Sequence, residues 1–210
     1  MGDLPACRVQ WALPFEKVGV DYAGPFMVKE RRGRGCKVIK CWVSVFIYLI
    51  TRAINLETVL SISSDDFLQA LNRFIGRRGK PLEMFSDNGT NVIKANKDLQ
   101  SMGHFLQNNN DKITQLVEVL RIKWHFIPPN SSHFGSIWEA GVKSLKYHLK
   151  RVVGSYTLLI FDLQRLLVRI EAVLNSRPLS PLSSHPEDYY LPPHIFSSAA
   201  VVRLSWSHQS

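Results

Sequence analysis

The chain has 210 residues, 45% of them apolar, with 26 Lys and Arg against 17 Asp and Glu. That length and apolar content suit one globular domain with a short tail and exclude a disordered chain. The net charge of +9 favours a polyanionic partner such as nucleic acid, and the longest apolar run, Cys41–Ile50, is far short of the roughly 20 residues a membrane span needs.

Residues 1–13 carry Pro5 and little periodicity and read as an N-terminal arm. No signal peptide is visible there. Val18–Pro25 reads as a strand closed by Gly24-Pro25, and residues 29–37 as a basic, Gly-containing turn. Val38–Leu49, rich in β-branched and aromatic residues, reads as a buried strand, and Arg52–Thr58 as a third. Ser63-Ser-Asp-Asp66 then starts a helix whose apolar positions, Phe67, Leu68, Leu71, Phe74 and Ile75, follow helical spacing, and Gly76 and Gly79-Lys-Pro81 end it. Leu82–Ser86 is a short strand with Asp87-Asn-Gly89 at its end. Helices are expected over about 92–100 and 113–120. Ile122–Ile127 is a strand, Asn130–Gly135 a loop, and Ile137–Val153 a helix. Leu163 to Leu174 makes a last amphipathic helix, stopped by Pro178. Three meander strands followed by alternating helices and strands predict an α/β fold. Its mixed five-stranded sheet would combine an antiparallel meander with two parallel strands and carry helices on both faces.

Cys7, Cys36 and Cys41 make neither a disulfide framework nor a zinc-ligand spacing, and they read as core or edge thiols in a reducing compartment, cytosol or nucleus. Three acids stand where separate elements would converge: Asp21 inside the apolar first strand, Asp87 at the end of the fourth, and Glu139 at the start of a helix. Magnesium takes oxygen ligands, and two such ions stabilise the attacking and leaving oxygens of a phosphoryl transfer. Each acid also has a plainer reading. Asp21 suits an ion pair or a helix cap, Asp87 a turn, and Glu139 a first-turn glutamate favoured by the helix dipole.

Three stretches carry a resemblance. They are Pro14-Phe-Glu-Lys-Val-Gly-Val-Asp-Tyr-Ala-Gly-Pro25, Phe85-Ser-Asp-Asn-Gly-Thr-Asn91, and residues 127–143 from Ile127-Pro-Pro-Asn through Trp138-Glu-Ala-Gly-Val-Lys143. In that order they resemble the integrase catalytic core of LTR retrotransposons, the BEL/Pao type above all, and Ile170-Glu-Ala-Val-Leu-Asn-Ser-Arg-Pro-Leu179 resembles the end of that core. The resemblance implies a ribonuclease-H-like fold over residues 14–188 and an irregular tail over 189–210. It also implies a DDE triad of Asp21, Asp87 and Glu139, with two Mg²⁺ or Mn²⁺ ions. Asp21 and Asp87 would share one ion, and Asp21 and Glu139 the other. The implied chemistry is DNA 3′-end processing and strand transfer, and the implied partners are element ends, target DNA and further copies of the chain. The 51 residues between Asp87 and Glu139 exceed the retroviral spacing; such length is typical of the BEL/Pao branch, with 99–120 as the insertion. Ser136 stands where the family has a second Gly, which stiffens the segment before Glu139. No counterpart of the family's zinc-binding N-terminal domain is expected. Met1-Gly-Asp-Leu-Pro resembles the segment upstream of the core, which reads Met1 as an internal polyprotein methionine. Ser197–Ser210 resembles nothing in the family, as in a truncated or frameshifted copy.

Positive charge is concentrated. Residues 29–40 hold Lys29, Arg31, Arg32, Arg34, Lys37 and Lys40 against Glu30. Lys143, Lys146 and Lys150 follow Glu139 at i+4, i+7 and i+11, on its own helical face. That row suits phosphate contacts, although Glu139–Lys143 also suits an ordinary i,i+4 pair. For the 29–40 cluster, a solvated turn competes at least as well as DNA contact. Asn88 and Asn91 suit DNA contact or fixing of the loop. His133 resembles a family position suited to orienting a phosphate or that loop. His125 reads as a core or edge histidine, His148 as part of the basic helix, and Trp42, Trp124 and Trp138 as core aromatics. A different class stays open: a nucleic-acid-binding module without catalysis. Ribonuclease H activity would want a further carboxylate near the first helix, and Asp65 and Asp66 lie too close to that helix's start.

Overall fold

The computed structural model describes residues 15–87, 120–127 and 132–177, with the side chains at 87, 127 and 132–137 outside that description. Five strands form one sheet: β1 (Lys17–Lys29), β2 (Val38–Tyr48), β3 (Ile54–Val59), β4 (Glu83–Asp87) and β5 (Lys123–Ile127). Three helices accompany them: α1 (Ser64–Arg78), α2 (Ser132–Val153) and α3 (Ile160–Asn175). The sheet order is β3-β2-β1-β4-β5. β1, β2 and β3 pair antiparallel as a meander, and β1–β4 and β4–β5 pair parallel, as expected. The expected helices over 92–100 and 113–120, the insertion at 99–120, and both termini lie outside the described residues.

Alternation along β1 divides the core. Val18, Val20 and Tyr22 join Phe67, Ala70, Leu71 and Phe74 of α1 on one face of the sheet. Ala23 and Val28 join Trp138, Val142, Leu145 and Leu149 of α2 and Leu163, Leu167 and Ile170 of α3 on the other. Phe46 stacks on Phe74 with ring centroids 4.4 Å apart. Cys41 is buried in the second cluster, and burial pushes its thiol up to about 11.

Several boundaries differ from the sequence-based expectation. β1 does not close at Gly24-Pro25 but runs to Lys29, because a register irregularity between Ala23 and Phe26 takes up the proline, which has no N–H for the ladder. α1 runs through Gly76 and ends at a Gly79 cap with φ 93° and ψ 167°; a single glycine costs an interior turn only about 1 kcal/mol, whereas that φ/ψ combination is essentially open to glycine alone. α2 begins at Ser132, five residues before Ile137, so residues placed in a loop continue the helix through Gly135. The Ser63 cap holds as expected, its hydroxyl accepting the Asp66 N–H at 3.2 Å.

β3 is an edge strand, and its open side is covered by side chains rather than by another strand. The Asn175 carboxamide on α3 accepts from Ile54 N and donates to Ile54 O, both at 2.8 Å. One turn earlier, Glu171 accepts the Leu56 N–H at 2.8 Å, and Arg73 of α1 donates to Thr58 O at 2.8 Å. These bonds satisfy backbone groups that would otherwise offer a template to another chain.

Candidate active site and basic helix face

The candidate site builds up from the face of β1 opposite α1. Strand alternation gives that face Gly19, Asp21 and Ala23. Asp21 is half-buried, and its Oδ1 accepts the Tyr22 N–H at 2.7 Å. Burial raises the neighbouring Tyr22 phenol well above its ordinary value, and the Asp66 and Asp21 carboxylates add to the rise.

β4 runs parallel to β1 in a register that pairs Val20 with Ser86. That register ends one residue before Asp21 on β1 and one residue before Asp87, the last residue of β4. Phe85 of β4 belongs to the core on the α2 side. Asp87 ends β4 and pairs across to Ile127 of β5.

α2 brings the third acid. Its Trp138 is buried on Gly19 so closely that a Cβ at residue 19 would sit 2.6 Å from the indole Cε3. Gly141 is similarly tight against Ile47, where a Cβ would sit 2.4 Å from Cδ1. These two contacts seat α2 directly on the sheet. Glu139 follows Trp138, turned about 100° away from the buried line, and it is exposed. It lies two turns inside α2 rather than at its opening, so the helix dipole, confined to the first turn, does not account for it.

Lys143, Lys146 and Lys150 are exposed on the same side of α2, about 100° round the helix from Trp138, Leu145 and Leu149. Among the described residues Glu139 and Lys143 form no ion pair, so the ordinary i,i+4 salt bridge is not made. His133 lies in the first turn of α2 with its side chain outside the description, and Asn88 and Asn91 lie outside the described residues altogether. His125 is an edge-strand histidine on β5, its Nε2 3.1 Å from Glu83 and its ring stacked on Phe85. Asp66 accepts from the Ser61 N–H and hydroxyl at 2.7 Å each, so it serves the start of α1.

The donor chemistry suits a hard divalent cation, since all three acids offer oxygen and two occupy neighbouring parallel strands. Among the described residues no three His, Cys, Asp or Glu side chains cluster at a metal-sized site, and the Asp87 side chain is not among those residues. Sequence reasoning missed the functions of Glu171 and Asn175, although an i,i+4 polar pair beside Leu167 and Ile170 on an otherwise apolar helix face is a readable signal.

No family model matches the sequence, and no curated protein matches it. Solved structures do match in shape. A chain of the simian T-cell lymphotropic virus intasome in complex with PP2A regulatory subunit B56 gamma superposes with a TM-score of 0.59 and 13% identity, over 95% of this chain. The catalytic core domain of BIV integrase gives a TM-score of 0.56 at 13% identity, over 93% of this chain and 99% of that one. The HTLV-2 integrase catalytic core domain in complex with magnesium, in its trimeric form, gives 0.53 at 14% identity, over 90% of this chain and 100% of that one. The fold is ribonuclease-H-like, that of retroviral integrase catalytic cores. At these identities the likeness concerns fold alone. The chain spans 60% of the length of the intasome chain it matches. No described helix is long and apolar enough to cross a membrane.

Proposed function

We propose that this chain is the catalytic core of a BEL/Pao-type retrotransposon integrase, a metal-dependent polynucleotidyl transferase acting on DNA. The observation that carries the reading is the parallel β1–β4 register, with Val20 beside Ser86 and Trp138 of α2 seated on Gly19. The integrase-core shape supports it, as does magnesium in the HTLV-2 core structure. In this reading residues 14–188 form the core, 1–13 an arm and 189–210 a tail, and the protein works in the nucleus or cytoplasm. The neighbours' trimeric and intasome forms support a multimer.

Asp21, Asp87 and Glu139 would hold two Mg²⁺ or Mn²⁺ ions, which when bound supply charge stabilisation at the attacking and leaving oxygens. Asp21 is fixed by β1 and by its bond from the Tyr22 N–H, and Glu139 by the seating of Trp138 on Gly19. Lys143, Lys146 and Lys150 hold phosphates along the exposed side of α2, and Asn88, Asn91 and His133 position the strand near the acids. No covalent protein intermediate is required, because positioning and electrostatics carry in-line phosphoryl transfer.

One observation favours a second reading, a DNA-binding module without turnover: the segment before Glu139, which Ser136 was expected to stiffen, is helical from Ser132 onward. A strand-transfer assay with Mg²⁺ or Mn²⁺ decides between the two. Under the first, wild-type protein joins DNA ends and Asp87→Asn reduces the rate at least about 100-fold. Unchanged activity in Asp87→Asn defeats the catalytic assignment, and salt-dependent DNA binding with no metal-dependent turnover selects the second reading.

A further inference from the structure

We propose that the basic β1–β2 turn and the C-terminal half of α2 form one continuous nucleic-acid track, joined by the loop between α2 and α3. In the sequence these are separate clusters, more than a hundred residues apart. The fold connects them through Lys29, whose N–H donates to Leu158 O at 2.8 Å and whose backbone bridges to Leu159 in parallel fashion. The start of the turn is thereby fixed to the α2–α3 loop.

Two concavities meet on that loop and share Thr157 and Leu158 as walls. One, of about 370 Å³, is lined by Lys146, Lys150 and Tyr156 over an apolar floor from β1 and α2. The other, of about 310 Å³, is lined by Lys29, Arg31 and Arg32. All five cations are exposed. The acids nearby are Glu30 in the turn and Asp162, which is engaged by Arg165 at 3.3 Å. Tyr156 is 81% exposed beside the lysines.

This combination suits a nucleic-acid strand better than a small anion. Phosphates meet the cations, and backbone sugars meet the Tyr156 ring and the apolar floor. From Glu139 to Lys150 the helix covers about 16 Å, roughly five nucleotide steps along a strand. The turn then carries positive charge past the end of α2, away from the candidate carboxylates. The proposal rests on the nucleic-acid reading above, and its test keeps the two apart.

The test is equilibrium binding of the full 210-residue chain to a labelled duplex of about 20 base pairs. It is run by fluorescence anisotropy in EDTA, over a series of NaCl concentrations. The Lys29→Gln/Arg31→Gln/Arg32→Gln variant is expected to flatten the slope of log affinity against log salt by about 2 to 3, roughly one per lost phosphate contact, with affinity falling about tenfold or more. Its melting temperature should match wild type, because these side chains are exposed. Arg31→Lys/Arg32→Lys keeps the charge and should keep the binding. Nuclease footprints should shorten at the end distal to the carboxylates. If the triple variant binds like wild type while Lys146→Gln/Lys150→Gln is impaired, the turn is merely solvated and the proposal fails with the nucleic-acid reading intact. Salt-independent or absent binding by wild type overturns both.

Discussion

Glu57 and Glu171 are 6% and 4% exposed at the β3 edge, whereas Glu139 stands in solvent on α2 and Asp21 is half-buried on β1. The first two are held by guanidinium groups. Glu57 takes Arg73 at 2.8 Å and Arg77 at 2.9 Å, and Glu171 takes Arg77 at 3.1 Å together with Arg78 and the Leu56 N–H. Such carboxylates are saturated and have nothing left to offer a ligand. The network ties α1, β3 and α3 into one unit at the edge where the sheet would otherwise be open. At the other group of acids, Glu139 has no cation partner among the described residues, and the neighbouring positive charges, Lys143, Lys146 and Lys150, also face solvent. A carboxylate that is saturated inside the fold serves stability, and one left to solvent beside a basic row is available for function.

The sharpest way to break this comparison is to remove a member of the closed network. Glu171→Ala leaves Arg77 and Arg78 short of a carboxylate and the Leu56 N–H without its acceptor. Arg77 keeps Glu57 and both guanidinium groups reach solvent, so the cost falls short of a fully buried pair, but with the Leu56 N–H left unsatisfied it is still about 2–3 kcal/mol. Urea unfolding should therefore show a large loss of stability, and a change under about 1 kcal/mol would mean that the network is not what holds the edge. A smaller effect tests the link between core and candidate site. Gly19→Ala drives a methyl into Trp138, at 2.6 Å, and α2 must shift to relieve it. Overpacking of this kind costs about 1–3 kcal/mol. Because Glu139 adjoins Trp138, strand-transfer activity should fall by more than the stability loss explains, measured at a temperature where the variant is fully folded. Activity equal to wild type would uncouple Glu139 from the seating of α2.

The two regions also differed in how well the sequence disclosed them. The apolar run of β2, the helical spacing of Phe67, Leu71 and Phe74, and the Ser63 cap were readable because local periodicity and capping determine them. So was the mixed sheet of a three-strand meander plus two parallel strands, since tight turns join the first three strands and helical crossovers favour parallel pairing. Element ends were less readable. Gly24-Pro25 looked like a stop, but an irregularity in the ladder carried β1 past it, and Gly135 looked like loop, but a single glycine does not break a helix that packs well elsewhere. The positions of Asp21 and Glu139 followed from topology. The roles of Glu171 and Asn175 did not, because what they bind is the edge of a strand more than a hundred residues away. The closeness of the β1–β2 turn to α2 was hidden for the same reason: a backbone contact between Lys29 and Leu158 leaves no trace in side-chain pattern.

The smallest expected effect on stability is the most informative about the open group. Glu139→Gln removes a charge from an exposed position with no ion-pair partner among the described residues. Surface changes away from structural features stay within about 0.5 kcal/mol, so urea unfolding of this variant should overlay wild type. Metal-dependent strand transfer should nevertheless be lost, because the amide has the carboxylate's shape but not the charge a divalent cation requires. The paired result, normal stability with lost chemistry, would be the reverse of the Glu171→Ala result on the same sheet. A marked loss of stability in Glu139→Gln would instead place Glu139 in a structural network reaching the residues before α2, and would move it into the class of Glu57 and Glu171.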